Sequence, residues 1–425
     1  MAVSMSHAAP QLREQKFVLD NGVRVLIEEL PHVHSAAIGF WVDTGTKNET
    51  IENNGISHFI EHMMFKGTAT RTALAIAQAL EDTGGSLNAF TDKEMTCYYA
   101  RVLDDQVELA IDVLSDMLLN SVMDENEIRR EKKVVLEEIK MYEDTPDELV
   151  QDLFSQVFWH GHPLGRAIVG TRQSVRRTTR ADIFDYMEHF YTPDRLVVSV
   201  AGNVRTGDVL RQLDQTVGRL VRPGRQLVET PPTPAATTKV KYKDIEQAHV
   251  VIGTQGLPVT HEDRYVLTVL DSILGGGMSS RLFQEVREKR GLAYTIASFE
   301  ILYRHAGIFG IYAATNPKSL GAVVDVTMAE VAKIREGGVT EDELRRAKQQ
   351  LRGSLLLSLE VPRHRMSRMA RNELYFGRLI PPQEVIEEIE AVELGDLQRL
   401  TRDLFQDRTL TTTVVGPVRR LPRSA

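Results

Sequence analysis

Along this 425-residue chain the spacing of hydrophobic positions keeps changing. Short apolar runs at 17–19, 23–28, 36–42, 97–102 and 196–201 are brief and rich in β-branched or aromatic residues, so they read as strands. Between them the period becomes helical. Ile56, Phe59, Ile60, Met63 and Met64 recur at i, i+3, i+4, i+7 and i+8, a stripe wide enough to face a core, and Phe65 adds apolar surface on another side. From 124 to 143, Ile128, Val135, Ile139 and Tyr142 form an apolar face, while Glu127, Arg130, Lys133, Glu137 and Lys140 form a solvated one. Asp124 followed by Glu127 predicts a capping box at the start of that helix.

Between 219 and 239 neither period holds. Pro223, Gly224, Pro231, Pro232 and Pro234 predict a stiff, extended connector. It divides the chain into an N-terminal domain (1–219), a linker (220–238) and a C-terminal domain (239–425). The two domains resemble each other. Val-Met-Asp-Glu-Asn-Glu-Ile-Arg-Arg at 122–130 introduces one helix, and Gly-Val-Thr-Glu-Asp-Glu-Leu-Arg-Arg at 338–346 introduces another, behind a capping signal of Thr340 with Glu343. Superposing the Arg-Arg pairs sets Ala347 opposite Glu131 and Ser354 opposite Glu138. Strand-like runs at 36–42 and 250–254 each precede a long helical stretch. The expected fold class is α+β, two copies of one unit in which a sheet is backed by helices.

Composition narrows the function. With 51 Lys and Arg against 59 Asp and Glu, the net charge of −8 argues against a general nucleic-acid surface and favours cationic partners. Cys97 is the only cysteine, which rules out an intrachain disulfide and a zinc–thiolate cluster; its strand-like setting predicts an inert buried thiol. Residues 1–11 lack the apolar run of a secretory signal and nothing later approaches a membrane span, so a cytoplasmic protein is expected.

The chemistry lies in the polar exceptions on the 56–64 stripe. His58, Glu61 and His62 form H-x-x-E-H, the inverse of the commoner H-E-x-x-H zinc motif. Imidazoles at i and i+4 stand one helical turn apart, about 40° around the axis, so both can reach one ion. Zinc favours such ligands, and at catalytic sites it keeps one position open for water, whose proton the adjacent Glu61 could handle. The alternative is a merely solvated polar face, which the apolar character of the helix counts against. A third ligand can come from the 124–143 helix, where Glu131 and Glu138 fall on or beside the apolar stripe. Glu138, unlike its neighbour Glu137, is badly placed for water and well placed for a buried cation; Glu131 is equally suited to an ion pair with a nearby Lys or Arg. His160 and His162 flank Gly161 and precede Pro163, which reads as a turn.

These residues resemble those of the pitrilysin/insulinase-type inverted zinc metallopeptidases, most of all the short branch that contains mitochondrial processing peptidase and its bacterial relatives. The likeness spans nearly the whole chain. Gly55-Ile56-Ser57-His58-Phe59-Ile60-Glu61-His62-Met63-Met64-Phe65-Lys66-Gly67 is similar to the family's metal helix. The spacing of its third ligand falls on Glu138, and that of a companion glutamate on Glu131. Asn88-Ala89-Phe90-Thr91 resembles the strand that pairs with substrate, and the segments 159–165 and 274–283 resemble other characteristic stretches. Arg287 and Tyr294 match an Arg and a Tyr of the active site.

The resemblance implies a zinc-dependent endopeptidase acting on unfolded peptides or presequence-like segments, with basic ones favoured, inside a clamshell chamber. His58, His62 and Glu138 would hold one Zn²⁺ per chain, although Mn²⁺ or Co²⁺ suit the same donors. Glu61 would be the general base, Glu131 would orient a ligand, and Arg287 and Tyr294 would stabilise the carbonyl and oxyanion. The chain has the length of half a clamshell, which implies a homodimer or heterodimer whose partner supplies Arg287 and Tyr294. Competing readings are a non-catalytic scaffold or partner subunit of a heterodimeric peptidase, and a metal hydrolase with a non-peptide substrate.

Overall fold

A computed structural model of the chain describes residues 14–224, 230–406 and 410–421. The N-terminal stretch expected to lack a secretory signal, and 225–229 of the expected linker, lie outside the described residues. The first sheet takes β1 (Glu14–Val18), β2 (Arg24–Glu29), β3 (Ser35–Val42), β4 (Ser86–Thr91), β5 (Thr96–Leu103) and β6 (Leu196–Gly202), in the order β1-β2-β6-β3-β5-β4. The second takes β7 (Thr238–Tyr242), β8 (Ala248–Gln255), β9 (Ala293–Leu302), β10 (Gly307–Thr315) and β11 (Thr411–Gly416), in the order β7-β11-β8-β10-β9. Each sheet is antiparallel except for one pair, β2 with β6 and β7 with β11. Once β1 is set aside, the two orders and strand directions coincide, so the repeat expected from the helix-leading segments is present in the topology. The described residues between 220 and 237 form neither helix nor strand.

β3 explains why its sequence reads as an unbroken apolar run. Ala36 to Val42 are all buried, because both faces of the sheet are covered. On one face Ile38 and Phe40 pack with Phe59, Ile60 and Met63 of the histidine helix (Ile56–Met64). On the other, Ala37 and Trp41 pack with Met366, Met369 and Leu374 of the helix Pro362–Phe376, which comes from the C-terminal half. The reverse holds for the second sheet. The helix Pro146–Phe158, from the N-terminal half, lays Val150, Phe154 and Phe158 against Val251, Ile308 and Val415.

The halves thus exchange one helix each, and two glycines record the exchange. A Cβ on Gly39 of β3 would come 2.5 Å from Met366 Sδ, and one on Gly253 of β8 would come 2.5 Å from Phe154 Cζ. A methyl at either site would have to push the end of that side chain aside, so the bare backbone makes room for Met366 and Phe154 as they stand. Ion pairs add to the apolar contact: Arg365 meets buried Glu28, and Arg368 meets Glu14.

The β4–β5 and β9–β10 turns also touch. The Arg304 backbone N–H donates to Glu94 Oε2 at 2.9 Å, and the Arg304 guanidinium donates to Asp43 Oδ1 at 2.9 Å. Each sheet ends on an unpaired edge, β4 in the first and β9 in the second. Among the described residues no helix is long and apolar enough to cross a membrane.

Because Phe154 is fully buried in a core that joins the two halves, Phe154→Ala should cost about 3–5 kcal/mol. Urea unfolding followed by far-ultraviolet circular dichroism should show the midpoint shifted in one transition common to both halves. A transition that splits, with one half unaffected, would contradict the interlocked core.

Candidate active site

The histidine helix begins at Gly55, which has a left-handed φ of 91°. A Cβ there would stand 2.7 Å from the Gly170 Cα. Gly55 has no side chain to cap the helix, and Glu49 acts from outside instead. Its buried carboxylate accepts from the Gly55 and Ser57 backbone N–H groups at 2.7 and 2.9 Å, and from the Asn54 amide at 2.9 Å. Burial pushes the Glu49 carboxyl up, and those donors pull it back. Ser57 Oγ is further tied to the Tyr186 hydroxyl at 2.9 Å. Neither Glu49 nor Tyr186 stands out in the sequence: Glu49 sits in the loop a few residues before the helix with no motif to mark it, and Tyr186 lies 129 residues from Ser57.

The glutamate helix runs Glu125–Asp144. Asp124 caps it by accepting from the Asn126 and Glu127 N–H groups at 2.8 and 3.1 Å. The expected reciprocal box is not completed, because the Glu127 carboxylate pairs with Arg130. At the matching helix of the second half, Thr340 and Glu343 do close a box, and Glu343 also accepts from Arg281 at 2.7 and 2.8 Å.

These helices bring three acceptors together. His58 Nε2 and His62 Nε2 are 3.2 Å apart, and the Glu138 carboxylate oxygens stand 3.6 Å from each. Donor atoms about 2.0–2.2 Å from a tetrahedral ion stand roughly 3.3–3.6 Å from one another, so the spacing suits zinc. Glu138 Oε2 is buried without a hydrogen-bond partner among the described residues, which also fits a carboxylate awaiting a cation. Burial first, and the charge of His62 second, pull the His58 imidazole down to about 3, so it stays neutral and keeps a lone pair for a metal.

Glu131 is buried and carries the outer layer. His62 Nδ1–H donates to Glu131 Oε1 at 2.8 Å, and Lys66 Nζ donates to Oε2 at 2.7 Å. The first contact selects the tautomer that leaves His62 Nε2 free to bind a metal. Burial alone would raise the Glu131 carboxyl, but the hydrogen bonds from His62 and Lys66 outweigh it and hold the group below the ordinary range. The surface ion pair open for Glu131 from its sequence position is thus partly realised, with Lys66, at a buried carboxylate.

Glu61 lines a cavity together with His58 and accepts from Thr91 Oγ1 of β4 at 2.6 Å. Burial raises its carboxyl and the Thr91 bond opposes the rise. Along β4 the side chains alternate, so Ala89 and Thr91 share the histidine side while Asn88 and Phe90 take the opposite face. A cavity of about 280 Å³ opens between this strand and the helix Pro146–Phe158, lined by His58, Glu61, Ala89, Thr91, Glu148 and Asp152. Burial raises the carboxyls of both Glu148 and Asp152. These two acids escaped the sequence reading. The available signal is their i, i+4 spacing on the side of that helix away from Val150 and Phe154.

Arg287 and Tyr294 belong to the second domain. Arg287 sits in a short π-helical turn, Phe283–Glu288, with its guanidinium 4.6 Å from the centre of the Tyr294 ring. Tyr294 is the second residue of β9 and is 74% exposed. Among the described residues Arg287 also meets Phe283 and Glu288, and no contact joins the pair to the three acceptors.

At the topological counterpart of the histidine helix, Arg264–Leu274, the second domain has Thr268 and Asp271, with Glu300 on β9. Thr268 Oγ1 donates to Glu300 Oε1 at 2.7 Å, the Glu61–Thr91 contact with its partners interchanged. Burial, with the Asp271 charge adding to it, pushes the Glu300 carboxyl up to about 7. Ala347 is buried and Ser354 exposed where the first domain carries Glu131 and Glu138, and among the described residues the only metal-type cluster is His58, His62 and Glu138. Cys97 is buried and its thiol is raised by burial, as an inert thiol should be.

Comparison with known proteins agrees with this geometry. Residues 24–172 match the family described as Insulinase (Peptidase family M16), and residues 177–351 match the one described as Peptidase M16 inactive domain. The chain is 42% identical over 408 residues to a protein of Bacillus subtilis named as an uncharacterized zinc protease, covering 96% of this chain and 99% of that one. A Streptomyces coelicolor protein with the same description is 40% identical over 417 residues, covering 95% and 90%. A solved structure of a Helicobacter pylori protease superposes with a TM-score of 0.91 at 23% identity, over 96% of this chain and all of that one. A Pseudomonas fluorescens structure titled as a peptidase M16 inactive domain gives 0.90 at 20% identity, over 97% of this chain and 100% of that one. These two likenesses establish the fold.

Removing the carboxylate that orients His62 should weaken metal binding without removing a ligand. Glu131→Gln is expected to lower zinc affinity by about 10–100-fold, measured by competition with a fluorescent chelator. Unchanged affinity would reduce Glu131 to a structural ion pair.

Proposed function

We propose that this chain, which belongs to the insulinase family of peptidases, M16, is a zinc-dependent endopeptidase that hydrolyses unfolded peptides or presequence-like segments. The observation that carries the reading is the convergence of His58, His62 and Glu138 on one point, with Glu61 beside it. Zinc bound there would supply Lewis acidity toward the scissile carbonyl and a lowered pKa for water. One ion per chain is expected, since the second copy keeps no comparable set among the described residues; Mn²⁺ and Co²⁺ suit the same donors.

Glu61 takes a proton from the attacking water and returns it to the leaving amine. Its burial raises its affinity for that proton, and Thr91 holds the carboxylate in place. The free edge of β4 can pair with an extended backbone at Asn88, Ala89, Phe90 and Thr91, which favours unfolded substrates over folded ones. Glu148 and Asp152 line the same cavity and favour a basic side chain there. In this reading the protein is cytoplasmic and works as a dimer, identical or mixed. Arg287 and Tyr294 of one chain serve the site of the other, which accords with the exposure of Tyr294, the half-buried position of Arg287 and the placement of both in the half that lacks the histidines. The scaffold reading is weaker, because the ligands, base and Arg–Tyr pair are all present.

Glu61→Gln should abolish chelator-sensitive cleavage of a quenched basic peptide while elemental analysis still finds about one zinc per chain. Loss of the metal instead would make Glu61 a ligand. Mixing Glu61→Gln with Arg287→Ala chains should restore turnover to roughly a quarter of the wild-type rate if subunits exchange freely and each site borrows its arginine. Continued inactivity, with exchange proven by mass spectrometry, would refute the shared site.

A further inference from the structure

We propose that the groove between β4 and the helix Pro362–Phe376, on the sheet face away from the histidines, is a second side-chain subsite for the bound peptide and takes carboxylate side chains. This rests on the reading of β4 as the edge that receives substrate. A strand paired there would turn alternate side chains to the two faces of the sheet. One set meets the metal side, where Ala89, Thr91 and Glu61 lie. The other meets a cavity of about 200 Å³ floored by Trp41, Phe90 and Tyr99. Phe90 lines both cavities, so they adjoin through the thickness of the edge strand.

The wall of this groove is cationic. Arg363, Ser367 and Arg371 follow one another at i, i+4 and i+8 on the exchanged helix and all line the cavity. The Arg363 guanidinium lies 5.9 Å from the Tyr99 ring centre and 3.5 Å from the Tyr99 hydroxyl, and it has no carboxylate partner among the described residues. Arg371 lies 5.8 Å from the Trp41 ring and 3.7 Å from Asp92 Oδ2, so its charge is only partly met. Trp41 and Phe90 meet edge to face at 5.4 Å, making an aromatic floor that excludes water and strengthens ion pairing above it. A planar guanidinium with open donors matches a carboxylate in two contacts.

The other side of the same strand is acidic, through Glu61, Glu148 and Asp152. One extended peptide would therefore be read by opposite charges on its two faces, a cation toward the metal and a carboxylate toward the helix, an odd number of residues apart.

The test uses quenched peptides with one fixed basic residue and Glu, Gln, Lys or Phe placed in turn at each neighbouring position. Zinc-loaded wild-type protein should cleave the Glu peptides about tenfold better than the Lys peptides, by kcat/KM, at alternate positions only. Arg363→Glu, an exposed change, should invert the preference at those positions. Turnover with no alternation, or with Phe preferred to Glu, would overturn the subsite. Binding of the same peptides to zinc-loaded Glu61→Gln protein, read by fluorescence anisotropy, separates this inference from the peptidase reading. If wild type cleaves nothing yet Glu peptides still bind better, and Arg363→Glu in that background inverts the order, then the activity reading fails and the subsite stands.

Discussion

Everything about the site depends on an arrangement that is unfavourable by itself. Two imidazole nitrogens stand 3.2 Å apart, with carboxylate oxygens 3.6 Å from each, so three metal-type ligand atoms crowd one buried point. Such a set persists only because the surroundings hold it. Glu49 fixes the start of the histidine helix, Glu131 and Lys66 hold His62 from behind, and the sheet packs beneath. The burial that makes the site costly also keeps His58 neutral, which is the form a cation needs. Stability and reactivity are opposed at this point, and the fold resolves the conflict with charge balance outside the first ring of donors.

The two copies of the unit show how that resolution can be lost without loss of fold. Sheet order and strand direction are shared, and so is a threonine–glutamate contact between helix and edge strand. What differs is the chemistry on the helices: Ala347 and Ser354 replace the glutamates, and Thr268 and Asp271 stand on the counterpart of the histidine helix. The second copy has kept its role as a covering layer and as the carrier of Arg287 and Tyr294.

The sequence made local features legible and left distant ones hidden. The histidine helix, the glutamate helix and the strands at 36–42 and 97–102 could be read because apolar period and motif spacing act within a few residues. Glu138 was legible as a candidate ligand from its place beside the apolar stripe of its helix, and the family's ligand spacing then pointed to it; nothing local links 62 to 138. Glu148 and Asp152 were missed because carboxylates at helical spacing are common on solvated faces. The closing of the Thr340 box, and the failure of the Asp124 one, turned on where Glu127 found a stronger partner, Arg130. The helix exchange had no sequence signature beyond Gly39 and Gly253, which gain meaning only beside Met366 and Phe154.

That exchange bears on how the protein is made. Translation delivers the first sheet in full once β6 is complete, at Gly202, yet one of its faces stays bare until the helix ending at Phe376 has been synthesised. During that interval the nascent chain on the ribosome presents Leu26, Trp41 and Val197 to solvent beside the edge strand β4. Slow elongation through the C-terminal half would lengthen the exposure, the state in which bare apolar surface and a free strand edge invite aggregation.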